Sequence, residues 1–169
     1  MKIKWRIIEK TIGVTQILWG LGILLFAFWG LTQLWEVFGR NSEFPSEKIS
    51  LAKVFVKSHF SIVISVLSIF GGIALLWEKK AGWVASIIVN LTFFVSYFIS
   101  LFYQKSPGAS IAEMDTNTLF LTSLLNLIFI SICGLLMAGY FRKKYNPDSK
   151  TWLFLILLTV VLAADRILI

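Results

Sequence analysis

The chain has 169 residues, of which 57% are hydrophobic and only 15% charged, and its formal net charge is +7 at neutral pH. Soluble domains carry about a quarter charged residues, and the mean hydropathy of this chain is +0.81. The charges cluster between long apolar runs, which is typical of a polytopic membrane protein. Most Lys and Arg residues lie in the connections, where they orient the chain and contact lipid headgroups. The positive charge therefore predicts the lipid bilayer as a partner and no nucleic acid.

Side chains suited to catalysis or metal binding are few. His59 and Cys133 are the single histidine and the single cysteine of the sequence, and they lie in different apolar segments. One chain therefore offers neither a disulfide framework nor a multi-ligand metal centre. The sequence has no phosphate-binding loop, zinc-protease motif, nucleophile elbow or Cys-x-x-Cys pair. We expect no catalytic residue, no metal and no cofactor.

Five apolar stretches approach the length that crosses a hydrocarbon core of about 30 Å at about 1.5 Å per helical residue. The first stretch is far longer than the apolar core of a cleaved signal peptide, and no small-x-small cleavage site follows it. The predicted fold class is an all-α integral membrane protein, a single-domain bundle of five transmembrane helices, four plus a short terminal one. The predicted spans are residues 12–35, 59–77, 82–103, 118–141 and 152–169.

The connections differ in length and chemistry. The stretch WEKKAGW is so short that the second and third helices must form a tight antiparallel hairpin. Residues 46–57 place Ile49, Ala52 and Phe55 on one face of a helix, which predicts an amphipathic segment at the outer surface. The three prolines all lie in connections. Proline therefore interrupts no span, and this counts against a secondary transporter with broken helices.

The distribution of Lys and Arg predicts the orientation. Ten of the 16 lie in the N-terminal segment, the second connection or the fourth connection. The other six lie on the opposite side of the predicted membrane. Since positive residues prefer the cytoplasm, the N-terminus is expected inside and, with five spans, the C-terminus outside. A four-span arrangement with the tail along the membrane is the alternative, because the fifth segment is short and carries charges. We expect the chain to lie in the inner cell membrane of a bacterium and to cross it several times.

Small and weakly polar residues recur at helical spacing within the spans. Such seams let helix backbones approach closely and form interhelical hydrogen bonds. Asn90 and Ser68 lie at a similar depth in the hairpin and are expected to act as structural contacts. The predicted helix-packing seam consists of Ser61, Ser65, Ser68, Gly72 and Asn90.

A second set of polar residues is predicted to lie in the outer leaflet of the bilayer. Counted from the cytoplasmic ends, its members lie about 20–24 Å into the bilayer. Asp165 and Arg166 are adjacent and therefore point about 100° apart on a helix, so each needs a different partner or water. Central charges cost about 2.5–3.5 kcal/mol to insert, and Asp165 is too short to reach the headgroups. The predicted polar layer consists of Asp165, Arg166, Tyr97, Asn126 and Ser61, with His59 at its outer edge.

These features favour a non-catalytic membrane subunit or scaffold that packs with a partner membrane protein or with copies of itself. The alternative is a small transporter or channel component that uses the outer polar layer. A membrane enzyme acting on lipids or quinones is a third class, although such enzymes usually need several interfacial His, Asp or Glu residues.

Overall fold

The computed structural model describes residues 2–40, 51–103 and 116–168, with side chains described for residues 4–33, 58–96, 98, 120, 121 and 123–165. Within these residues the chain is all-helical. The six helices are α1 Lys2–Arg40, α2 Leu51–Leu76, α3 Lys80–Tyr103, α4 Thr116–Leu136, α5 Gly139–Tyr145 and α6 Ser149–Leu168.

Helix α3 lies at the centre of the bundle. It packs against α2, α4 and α6, while α1 packs along α2. Every residue from Gly82 to Asn90 is buried, so this stretch is covered on all its faces. A helix that is apolar all round is typical of such a central position. The core includes Trp83, Ile87 and Leu136, none of which has any exposed surface.

The apolar helices support a membrane protein. Among the described residues, Lys4–Gln33 and Ser58–Leu76 are long and apolar enough to cross a membrane, and α3 has a shorter apolar stretch, Lys80–Ser96. A third span results if the bent pair Ser123–Leu136 and Gly139–Tyr145 is counted as one. Length and composition thus support two to three spans, and five spans with a cytoplasmic N-terminus stay a prediction.

Three predicted boundaries differ from the structure. The first helix begins at Lys2 rather than near residue 12, because the charged N-terminal residues continue the helix. Residues 46–50 of the predicted amphipathic segment lie outside the described residues. Its residues 51–57 form the start of α2 rather than a separate element. The predicted fourth span, 118–141, is interrupted after Leu136, where α4 and α5 meet at a bend of 56°.

The predicted hairpin between α2 and α3 is present and closes through a Schellman motif. The backbone N–H of Glu78 donates to the Leu75 carbonyl at 2.9 Å, and that of Lys79 donates to the Ala74 carbonyl at 2.9 Å. Glu78 occupies the left-handed position with φ 56°, where glycine is the usual residue. A glutamate in this backbone conformation is uncommon.

Close approach of α1 and α2 depends on glycines. A Cβ added to Gly72 would lie 2.5 Å from the Gly13 carbonyl oxygen and 2.7 Å from a side-chain carbon of Ile17. A Cβ added to Gly20 would lie 2.9 Å from the Ser65 carbonyl oxygen. The two helices therefore touch backbone to backbone, which is how small-residue seams stabilise membrane helix pairs.

We expect Gly72→Ala to lower the free energy of unfolding by about 1–3 kcal/mol, because the added methyl group must push α1 away from α2. Gly134→Ala is the matched control, since a Cβ there meets no atom within 4 Å. Thermal unfolding of both variants in one detergent measures the difference. Equal midpoints for the two variants would contradict the close packing.

Candidate functional site

Two members of the predicted polar layer are in contact at the end of the bundle away from the hairpin. His59 of α2 places its Nε2 2.8 Å from Oδ2 of Asp165 on α6. The two side chains are 28% and 30% exposed, so the pair is neither sealed in the core nor fully open. Asp165 therefore has its partner on another helix of the same chain. We call His59 and Asp165 the outer pair.

The other predicted members of the layer are placed differently. Ser61 is half-buried and lies two residues from His59, so the two side chains leave α2 about 200° apart and face different sides. The Ser61 carbonyl accepts a hydrogen bond from the Ser65 hydroxyl at 2.5 Å. Asn126 is buried on α4, and the side chains of Tyr97 and Arg166 lie outside the described ones. Equal predicted depth thus does not by itself bring Ser61 and His59 to one face of α2.

Four of the five predicted seam residues are buried, Ser61 is half-buried, and Ser68 and Gly72 contact α1. Ser68 donates its hydroxyl to the backbone carbonyl of Gln16 at 2.9 Å. Ser86 donates to Gln16 Oε1 at 2.5 Å, and Gln16 Nε2 donates back to the Ser86 carbonyl at 3.3 Å. Asn90 donates to the same carbonyl at 2.7 Å. These four residues, the Gln16 cluster, join α1, α2 and α3 by hydrogen bonds within the core.

A third polar group, which the sequence analysis missed, lies at the hairpin end. Glu9 of α1 is only 1% exposed and its Oε2 lies 2.6 Å from Lys144 Nζ on α5. The Tyr145 hydroxyl donates to the other oxygen of the same carboxylate. Lys144 also lies 3.0 Å from Glu78, which in turn lies 3.0 Å from Arg6. These five residues form the hairpin-end cluster, which connects α1, the α2–α3 turn and α5.

Aromatic side chains surround the hairpin-end cluster. The Tyr145 ring stacks on Trp83 at 5.8 Å between centroids, and Trp152 meets Trp83 edge to face at 5.8 Å. The Trp83 indole N–H donates to the Leu136 carbonyl at 2.7 Å. This bond satisfies one of the carbonyls that the end of α4 leaves without a helical partner. Trp83 therefore stabilises the bend that delivers Lys144 to Glu9.

A seam on α1 could have revealed part of this arrangement. Glu9, Gly13, Gln16 and Gly20 follow one another at intervals of four, three and four residues, and all four are buried. This is the same spacing that singled out the seam on α2. The prediction began the first span at residue 12 and so assigned Glu9 to the cytoplasmic flank.

The described residues contain no group of three or more His, Cys, Asp or Glu side chains that could hold a metal ion. Cys133 is buried, and its thiol lies 3.9 Å from the Ile87 carbonyl. In the outer pair, an imidazole nitrogen and a carboxylate oxygen from two different helices are in direct hydrogen-bond contact.

Comparison with protein-family models, with curated protein sequences and with solved structures finds no match for this chain.

The contribution of the hairpin-end cluster to folding stability can be tested by its dependence on pH, because Glu78 is ionisable. Lys144 and Arg6 hold the pKa of Glu78 below its ordinary value of 4.5, with Lys144 the larger influence. A lowered folded-state pKa means that the stabilising contribution is fully present above about pH 4.5 and is lost as the pH falls through the lowered value. Glu78→Gln should therefore remove an acid-sensitive part of the folding stability.

We expect Glu78→Gln and Glu78→Gly both to lose stability relative to the unsubstituted chain at pH 7, with the deficit shrinking as the pH is lowered from 5 to 3. Glu78→Gly should be the more stable of the two, because glycine adopts the left-handed conformation at lower cost. Unfolding midpoints across that pH range measure both effects. A deficit that is constant with pH would show that the carboxylate charge is irrelevant.

Proposed function

We propose that the chain is a non-catalytic integral membrane subunit that binds a partner membrane protein through α1. In this proposal it crosses a bacterial inner membrane five times, with its N-terminus in the cytoplasm. The observation that carries the proposal is an exposed face of α1 that combines aromatic side chains with an unfilled glycine. This face consists of Leu18, Gly22, Phe26 and Trp29.

The exposed face lies opposite the buried seam of α1. Leu18, Phe26 and Trp29 are 64%, 69% and 58% exposed, and the rings of Phe26 and Trp29 lie 5.8 Å apart. Spacings of four, four and three residues align the four positions along one side of the helix. Aromatic residues are enriched in the buried cores of protein interfaces.

Gly22 adds an unfilled glycine to the exposed aromatic side chains of this face, a combination that supports contact with another helix. Gly13, Gly20 and Gly72 are each approached by a neighbouring helix to within about 3 Å of the position that a Cβ would take. A Cβ at Gly22 meets no atom within 4 Å. Lipid-facing positions gain nothing from glycine, which weakens a helix relative to alanine. The open glycine is thus suited to the close approach of a helix from another chain.

The test is photo-crosslinking from position 26, followed by purification in mild detergent. We expect an adduct with another membrane polypeptide or with a second copy. Gly22→Ile should reduce the adduct about tenfold, because an overpacked helix contact costs about 1–3 kcal/mol. Gly134→Ile is the control, since that glycine is also exposed and open. A chain that forms no adduct, or an adduct equally strong in both variants, would overturn the proposal.

The outer pair favours a second candidate function, a small transporter or channel component. His59 and Asp165 are ionisable groups on two different helices, and intramembrane ionisable residues are frequent in proton and ion pathways. For this function we expect proton or ion flux into vesicles that contain the purified chain, with Asp165→Asn abolishing it while the chain stays folded. Flux that is unchanged in Asp165→Asn, or absent from the unsubstituted chain, would exclude the pair as a transport site.

A further inference from the structure

A groove of about 590 Å³ lies between α2, α3 and α6. Its floor includes side chains from the buried central stretch of α3, and its rim includes Phe70 and Phe154, which are 52% and 55% exposed. From Lys150 to Leu158 the groove follows α6 for about 12 Å at about 1.5 Å per residue. The apolar walls are Leu67, Phe70, Val84, Ile88, Phe154 and Leu158.

The mouth of the groove is polar and lies at the hairpin end. It is formed by Lys80 at the start of α3 and by Asp148, Lys150 and Thr151 at the start of α6. Lys80 Nζ lies 3.1 Å from Asp148 Oδ1 and 3.4 Å from the Asn146 carbonyl. The Thr151 hydroxyl donates to the same Asp148 oxygen. Thr151 and Lys80 together lower the pKa of Asp148 to about 2, so its carboxylate is ionised at neutral pH.

We propose that this groove binds one phospholipid with an anionic headgroup, with one of its two acyl chains along the apolar walls and its phosphate between Lys80 and Lys150. An apolar groove that opens sideways from a membrane helix bundle is in contact with acyl chains. Basic pockets between transmembrane helices on the cytoplasmic side bind anionic headgroups, and the mouth lies among the connections predicted to be cytoplasmic. The first turn of α6 adds backbone N–H groups, which favour an anion at that place.

Asp148 has a definite role in this site. Its carboxylate forms an ion pair with the Lys80 ammonium, and a phosphate that binds Lys80 must displace this carboxylate or lie beside it. Like charges repel at this distance, so Asp148 weakens the binding of an anionic lipid. Asp148 directly precedes α6, and Asn is as well suited as Asp to the position before a helix. Asp148→Asn should therefore strengthen binding without disturbing the helix.

The experiment is native mass spectrometry of the full chain in mild detergent, titrated with phosphatidylglycerol or with phosphatidylcholine of the same acyl chains. We expect phosphatidylglycerol to be retained more strongly at a stoichiometry of one. Lys80→Gln combined with Lys150→Gln should weaken its binding about thirtyfold, at about tenfold per 1.4 kcal/mol and about 1 kcal/mol for each lysine near a membrane surface. Lys10→Gln combined with Lys143→Gln is the control, since both lysines are exposed outside the groove and the change in net charge is the same.

Two further variants separate the lipid site from a merely structural ion pair. Asp148→Asn should bind phosphatidylglycerol more tightly, and Ala81→Leu, which fills the groove, should lose both lipids. The proposal is overturned if the two double variants bind equally, if phosphatidylcholine binds as well as phosphatidylglycerol, or if Asp148→Asn weakens binding. A dimer mass that Ala81→Leu abolishes would assign the groove to a second copy and would also overturn it.

Discussion

The contact between Glu9 and Lys144 is the constraint on which the hairpin end of the bundle depends. A carboxylate that is 1% exposed in an apolar chain is strongly destabilising unless a charged partner and hydrogen bonds satisfy it. Both come from α5, where Lys144 provides the charge and Tyr145 the hydroxyl. Satisfying Glu9 therefore requires a contact between segments 135 residues apart in the chain. The 56° bend between α4 and α5 is what brings those two side chains to α1.

The rest of this end follows from that contact. The bend leaves carbonyls at the end of α4 without helical partners, and Trp83 from the first turn of α3 satisfies the one at Leu136. The ring of Trp83 then provides the surface on which Tyr145 stacks. Lys144 also contacts Glu78, which gives a reason for a glutamate at a left-handed position that glycine would occupy at lower conformational cost. The unusual backbone residue and the buried charge thus belong to one network.

Much of the helix arrangement could be predicted from apolar length and from spacing. The tight hairpin follows from the brevity of WEKKAGW, and the burial of Ser65, Ser68 and Gly72 agrees with their regular intervals on α2. The break after Leu136 could not be predicted in this way. No proline marks it, and the interactions that stabilise it come from Trp83 and Glu9, which are distant in sequence. Local patterns do not encode such tertiary contacts.

The candidate site shows the same division between local and tertiary information. Asp165 was identified because an aspartate in an apolar run needs a partner, and His59 was one of several residues that could provide it. Selecting His59 requires the relative rotation of α2 and α6, which spacing within either helix does not determine. Depth alone grouped Ser61 with His59, although the two leave α2 on different sides. Glu9 was missed because its neighbours in sequence are basic and suggest a solvated flank.

The hairpin-end cluster, the Gln16 cluster and the outer pair differ in how exposed their side chains are. This difference limits the chemistry that each group can take part in. In the hairpin-end cluster Glu9 is buried and both of its oxygens are engaged, so its side chain holds α1 against α5. The Gln16 cluster contains no ionisable side chain, so it can contribute packing and hydrogen bonds but no proton exchange. Both members of the outer pair are ionisable and about 30% exposed. The outer pair therefore joins α2 and α6 through two ionisable side chains that are only partly covered, whereas Glu9 and the Gln16 cluster are enclosed in the core.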